Sequence, residues 1–218
     1  MQIVVLGVTG RTGGAAVEHA LDRGYGVTAY ARNPDAITPR PGLAVVGGAV
    51  DDVPAMTAAF AGHDAVVSCL GARVGAGYLW HGTDFQRRSL PRILDAIEAA
   101  AVPRFVLLSS LGIGDTARKQ SFVPRLFART LAKRLFDDKL AAERDLPRCA
   151  ADWTAVYPVT LKSGPADEDR ELAPLDEVTA VPGRPVLTFA TVAAALIDLV
   201  PEQGGPRRLV LTARGAWR

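Results

Sequence analysis

The most constraining feature of the sequence is a run of glycines close to its start. Gly7-Val8-Thr9-Gly10-Arg11-Thr12-Gly13-Gly14 follows an apolar β-branched segment, Gln2 to Leu6, and precedes an amphipathic stretch with Ala16, Val17, Ala20 and Leu21 on one face. A G-x-x-G-x-x-G loop between a strand and a helix has a mechanical logic. Gly7 allows a tight exit from the strand, Gly10 lets backbone approach a pyrophosphate, and Gly13 permits the helix to pack closely on the strand. The amides of the first helical turn, with the helix dipole, then hold negative charge. The position, directly after the first strand of a βαβ unit, reads as a dinucleotide cradle.

The rest of the chain repeats that grammar. Strands are expected at Gln2 to Leu6, Val27 to Ala31, Ala44 to Val46, Ala65 to Cys69, Phe105 to Leu108 and Thr154 to Tyr157, with weaker ones at Val186 to Phe189 and Leu209 to Thr212. Helical patterns fill Thr12 to Arg23, Val53 to Ala61, Asp84 to Ala101, Pro124 to Leu146 and Thr191 to Val200. Short buried strands alternating with amphipathic helices predict an α/β fold, a Rossmann-type doubly wound parallel sheet in a three-layer α/β/α arrangement with a small C-terminal elaboration. With 218 residues and no low-complexity linker, one domain over 1–218 is expected. The irregular stretches Gly71 to Gly82, Gly112 to Phe122 and Thr160 to Arg184 follow the fourth, fifth and sixth strands, on the edge where ligands bind open parallel sheets.

Bulk composition excludes several classes. Lys and Arg total 25 against 23 Asp and Glu, for a formal charge of +2, which implies no nucleic-acid surface. Cys69 and Cys149 lie far apart and offer neither a disulfide framework nor metal-ligand spacing, so no metal is expected and a reducing, cytoplasmic setting fits. No apolar run is long enough to span a membrane, and the N-terminal segment lacks the basic lead-in of a signal peptide. A basic amphipathic pattern from Arg118 to Lys139, with Phe122, Leu126, Phe127, Leu131 and Leu135 among Arg125, Arg129, Lys133 and Arg134, suits a helix lying on a membrane or partner but reads first as a core-facing helix with a solvated basic face.

Arg32 falls 19 positions after Gly13, at the end of the second strand, where dinucleotide folds read the adenosine ribose. An acid there bonds a 2′-hydroxyl; an arginine suits a 2′-phosphate, which favours NADP(H). Arg11 could close on the same phosphate from within the loop.

With this loop and Arg32, the segments Asp64-Ala65-Val66-Val67-Ser68-Cys69-Leu70-Gly71 and Phe105-Val106-Leu107-Leu108-Ser109-Ser110 give the chain a family likeness. It resembles the atypical short-chain dehydrogenases/reductases, in particular the NAD(P)H-binding group of biliverdin-IXβ/flavin reductases and NmrA-like proteins. Trp153-Thr154-Ala155-Val156-Tyr157-Pro158 looks like the family's sixth strand, and Thr191-Val192-Ala193 like the start of its last helix. The resemblance implies that Gly7, Thr9, Gly10, Arg11, Thr12 and Gly13 hold the pyrophosphate and that Arg32 holds the 2′-phosphate. Leu70 and Gly71 would flank the adenosine, with Val50 beside Ala49, where the family often carries an acid next to the adenine. Ser109 and Ser110 would end the fifth strand near the nicotinamide, and Pro158, Val159 and Thr160 would lie along its carboxamide.

The larger superfamily protonates a carbonyl with a tyrosine activated by a lysine four positions later. Here Lys139 stands at the lysine's place, but Leu135 occupies the tyrosine's. Lys139 either faces the site as a cofactor-ribose ligand or lies on the surface paired with Glu143 one turn on. Tyr78, Trp80 and His81 cluster after the fourth strand, and His81 is a conceivable proton donor near neutral pH. Three readings stay open. One is an NADPH-dependent reductase of a planar or aromatic small molecule, another a catalytically silent NmrA-like NADP-binding module, and the third a tailoring enzyme without redox change. A monomer or homodimer is expected.

Overall fold

The computed structural model describes residues 1–71, 83–121 and 133–218. The expected cluster Tyr78, Trp80 and His81 and the segment from Phe122 to Leu131 lie outside the described residues.

The run Ile3-Val4-Val5-Leu6 is at most 1% exposed, as a strand covered on both faces must be. This strand, β1 (Gln2–Leu6), is the organising element. It pairs in parallel with β2 (Gly26–Ala31) on one side and β4 (Ala65–Ser68) on the other, so Leu6 lies between Tyr30 and Ser68. β3 (Leu43–Gly47) extends the sheet beyond β2, while β5 (Arg104–Leu108), β6 (Asp152–Pro158), β10 (Arg208–Ala213) and β8 (Arg170–Pro174) extend it beyond β4. The order β3-β2-β1-β4-β5-β6-β10-β8 reverses direction between β1 and β4. That reversal opens a crevice at the carboxyl ends of the strands. Among the described strands of this sheet only β8 runs antiparallel, against β10.

Helices α1 (Arg11–Asp22) and α5 (Phe189–Asp198) pack on each other, as do α2 (Val53–Phe60) with α3 (Phe85–Ala99) and α3 with α4 (Lys133–Glu143). The α5 segment Thr191-Val192-Ala193-Ala194-Ala195-Leu196-Ile197 is buried throughout. A helix apolar on every side needs that cover, which the sheet and α1 provide. Arg104, at the start of β5, is 2% exposed. Its guanidinium donates to Leu199 O at the end of α5, to Asp152 O and to Thr154 Oγ1.

The doubly wound sheet is as the sequence predicts. The differences lie late in the chain, where the stretch Thr160 to Arg184, read as irregular, contains β7 (Thr160–Lys162) and β8. β7 pairs with β9 (Val186–Thr188) in a separate two-stranded sheet outside the main one. α5 begins at Phe189 rather than Thr191, because Thr188 caps it by accepting from the Thr191 amide at 3.0 Å. The expected strand therefore stops before Phe189. Alternation in β7 and β8 is too short and too polar to stand out from a loop.

Candidate functional site

Gly7 leaves β1 with φ +81°, a conformation L side chains rarely adopt, and a Cβ there would lie 2.7 Å from Cys69 O on β4's exit. A Cβ on Gly13 would lie 2.1 Å from Gly7 O, so helix and turn touch backbone to backbone. The Gly10 amide donates to Gly7 O at 2.9 Å, and the Gly14 amide to Gly10 O at 2.8 Å. Among the described residues no side chain caps α1, and its first turn carries no acid. Its first N–H groups are left open, and the helix dipole adds positive character to them. A dinucleotide pyrophosphate fits this cradle: open amides among the described residues, no acid in the first turn of α1 and glycine where backbone must be approached.

Around the cradle, Thr9 and Gly10 are exposed while Thr12 is buried. Arg11 is stacked on Phe189 at the start of α5, its guanidinium carbon 4.0 Å from the ring centroid. Phe189 thus holds Arg11 to the α5 side of its helix. Arg32 is exposed at the end of β2 and makes no ion pair among the described residues. Tyr30 OH donates to Ala49 O at 3.1 Å, fixing the turn before the half-buried Val50. Leu70 O, at the end of β4, accepts from Gln86 Nε2 at 2.7 Å, which ties the Leu70–Gly71 turn to α3.

A second polar group lies beyond the end of β5. Lys139 Nζ donates to Ser110 Oγ at 2.8 Å. Of the two sequence readings for Lys139, the inward one describes its place. Burial pulls the Lys139 ammonium below the usual lysine range, and the negative charges of Glu143 and Asp138 oppose that pull. Asp138 is the buried neighbour that docks α4, accepting from the Gln86 and Arg87 amides at 2.9 and 3.1 Å in the first turn of α3.

Glu143 is not a surface partner either. One of its oxygens accepts from Ser109 Oγ, and the other from Tyr157 OH at 2.7 Å. Tyr157 OH in turn accepts from Arg208 Nε at 3.1 Å, and Arg208 forks onto Asp115 with distances of 2.9 and 2.8 Å. Burial pushes the Glu143 carboxyl above its usual range, opposed by the Ser109 and Tyr157 hydrogen bonds and by the Lys139 and Arg208 charges. Burial, then the Glu143 charge, pushes the Tyr157 phenol up. The Arg208 hydrogen bond holds Asp115 below the usual carboxylate range.

The remaining expected residues divide by exposure. Pro158 and Val159 are buried, Val159 through its amide to Leu211 O, and Thr160 is exposed at the start of β7. Ser109 is buried, and Ser110 only partly so. The turn after Ser110 is built on Gly112, with φ +111° and its amide donating to Thr116 Oγ1 at 2.8 Å. Glu143, Tyr157, Arg208 and Asp115 are the group sequence reasoning missed. The Lys139–Glu143 spacing places both on one helix face, and Tyr157 interrupts an apolar strand; nothing in the sequence links Arg208 to either.

A glycine cradle at the first crossover of a doubly wound sheet defines a Rossmann-type dinucleotide-binding protein. The chain belongs to the NAD(P)H-binding family, which it matches over residues 7–203. It is 30% identical over 183 residues to an uncharacterised chloroplastic protein of Arabidopsis thaliana, a match covering 80% of this chain. The chain spans 64% of the length of that relative. Among solved structures, an anaerobillin reductase from Escherichia coli O157:H7 superposes with a TM-score of 0.78 at 22% identity, covering 99% of this chain and 98% of that one. A short-chain dehydrogenase/reductase from Veillonella parvula in complex with NADP superposes with a TM-score of 0.79 at 16% identity, covering 100% and 96%. An oxidoreductase from Lactococcus lactis gives 0.77 at 22%, covering 99% and 93%. The expected NAD(P)H-binding family and Rossmann-type fold are borne out.

Proposed function

We propose that this chain is an NADP(H)-dependent reductase of a planar or aromatic acceptor, with Ser110 and Lys139 at the reacting end of the crevice. The observation that carries the reading is the contact between Lys139 Nζ and Ser110 Oγ at 2.8 Å, beyond the strand that follows the dinucleotide crossover. A buried ammonium on a hydroxyl is a proton source, and nothing in the cradle requires one. The family resemblance and the E. coli reductase among the structural neighbours support redox use of the fold.

The cradle from Gly7 to Gly13 holds the pyrophosphate, and Arg32 selects the 2′-phosphate. Leu70, Gly71 and Val50 border the adenosine, and Pro158, Val159 and Thr160 the carboxamide. When bound, reduced nicotinamide supplies a hydride. Ser110 orients the acceptor, and the Lys139 ammonium gives it a proton through the Ser110 hydroxyl, then recovers one from solvent. The acceptor so gains a hydride and a proton for each NADPH oxidised. Flat conjugated acceptors fit because their reduction leans on positioning more than on a strong acid, and Leu135 stands where a carbonyl reductase keeps its tyrosine.

The test is NADPH oxidation, followed by loss of the reduced cofactor's near-ultraviolet absorbance, against free flavin, a quinone series and a linear tetrapyrrole. NADPH and NADH binding are titrated in parallel. Turnover with at least one acceptor is expected. Tight binding without oxidation of any would instead mark a binding module.

A further inference from the structure

Glu143 is half-buried on the inner face of α4, one helical turn beyond Lys139, and both its oxygens are occupied. Ser109 Oγ donates to one and Tyr157 OH to the other, an arrangement that suits a carboxylate, which only accepts. Arg208 Nε donates into Tyr157 OH, so the phenolic proton is directed at Glu143, and Asp115 fixes Arg208 from the far side. Two donors, one just past β5 and one on β6, thus meet on one anion, and β10 backs the second through Arg208. A carboxylate that only docked α4 would not need so many donors, and Asp138 already docks that helix onto α3.

We propose that Glu143 is a positioning residue that acts through Lys139: a fixed anion, pinned by Ser109 and by the Arg208–Tyr157 pair, that holds the Lys139 ammonium on Ser110 in its proton-bearing form. This rests on the reading of Lys139 as the proton source. Among the described residues, Lys139 Nζ donates to Ser110 just past β5 and feels the charges of Glu143 and Asp138 on its own helix, while Glu143 leads on to Ser109 past β5, to Tyr157 on β6 and, through Tyr157, to Arg208 on β10 and Asp115 in the turn after β5. Asp138 is committed to the α3 amides, and Asp115 is matched by Arg208. Glu143 is left as the counter-charge, and it is the larger of the two negative influences on Lys139.

The chain has four lysines, Lys119, Lys133, Lys139 and Lys162, so each Cε resonance is separable in protein carrying 13C-lysine. Titrating the cofactor-free wild type and Glu143→Gln by NMR reads the Lys139 midpoint without any substrate. The Lys139 midpoint should fall by about one pH unit or more in Glu143→Gln, with the other three lysines unmoved. An unmoved Lys139 in a folded variant overturns the proposal. The wild type supplies an arm that needs no variant. Protonating Glu143 with acid, followed at its Cδ, must move the Lys139 Cε resonance with the same midpoint, and silence at Lys139 overturns the proposal even if Glu143→Gln fails to fold.

With an acceptor in hand, the alkaline limb of kcat should shift to lower pH in Glu143→Gln by as much as the NMR midpoint, with KM for NADPH unchanged. A uniform loss at all pH values would point to damaged packing and overturn the proposal. If Glu143→Gln moves the Lys139 midpoint while Lys139→Met leaves NADPH oxidation intact, the charge pairing stands and the reading of Lys139 as proton source falls.

Discussion

Gly13 and Gly7 are in backbone contact: a methyl on Gly13 would stand 2.1 Å from the Gly7 carbonyl oxygen and 2.6 Å from its carbon. The obstacle is main chain, which cannot rotate away as a side chain can. Gly13→Ala should therefore displace α1 from β1, costing about 2 kcal/mol or more of stability. At Gly10 the added methyl meets only Gly7 O, at 3.1 Å, and the fold can absorb it. Gly10→Ala should melt close to wild type yet lose NADPH affinity, because its methyl intrudes on the pyrophosphate approach. Melting curves paired with NADPH fluorescence titrations distinguish the two, and equal melting losses would contradict this division of labour.

Arg32 is exposed and unpaired among the described residues, just past the end of β2, where we propose that the ribose is read. Removing a charge-assisted contact to a phosphate costs about 1.5–3 kcal/mol, or roughly 10- to 100-fold in affinity. Arg32→Ala should impose that loss on NADPH and leave NADH nearly unchanged. Titrations of both nucleotides check it, and equal losses would remove the basis for preferring NADP(H).

The cradle and sheet were legible because each rests on local chemistry. Glycines at fixed spacing after Leu6 and buried β-branched runs report their own structure. The Lys139 environment was only half legible. Its spacing to Glu143 is visible, but whether that helix face meets solvent or the sheet depends on tertiary packing, and both side chains turn inward. Arg208 to Tyr157 is a contact across 51 positions. Its donors come from strands adjacent only because β10 inserts beside β6, and no periodicity encodes that. β7 escaped notice for a related reason, since its partner β9 lies beyond a long connection.

Lys139 and Ser110 share one hydrogen bond and, on our reading, one task. Lys139→Met should lower kcat by about 10²- to 10⁴-fold, the usual range for a positioned proton donor. Ser110→Ala should lose a comparable amount, and the double variant little more than either single one, because residues acting as a unit are not additive. Measuring kcat for the three variants closes the cycle. Multiplicative losses would show that they act independently.

Arg104 carries a structural prediction. The side chain is 2% exposed, and its guanidinium satisfies Leu199 O, Asp152 O and Thr154 Oγ1 at 3.0, 3.0 and 2.9 Å. Arg104→Met keeps much of the volume but strands those acceptors, including the C-terminal carbonyl of α5. A loss of about 3 kcal/mol is expected in denaturant unfolding, with NADPH affinity unaffected, since Arg104 starts β5 and the crevice lies at its other end.

Glu143 also leaves a mark on stability. Burial raises its carboxyl above the value it has in the unfolded chain, so the folded state binds that proton more readily. The stabilisation this provides is present in full below the unfolded value and is lost as pH rises through the raised folded value. Gln cannot titrate, so Glu143→Gln is free of that loss. Whatever constant cost the substitution carries from its altered hydrogen bonds to Ser109 and Tyr157, the difference in unfolding free energy should move in favour of the variant as pH increases across this window. Denaturant unfolding of both proteins at several pH values tests it. A flat difference would mean that Glu143 titrates alike in the folded and unfolded chains, and that its hydrogen bonds and the Lys139 and Arg208 charges cancel the effect of burial.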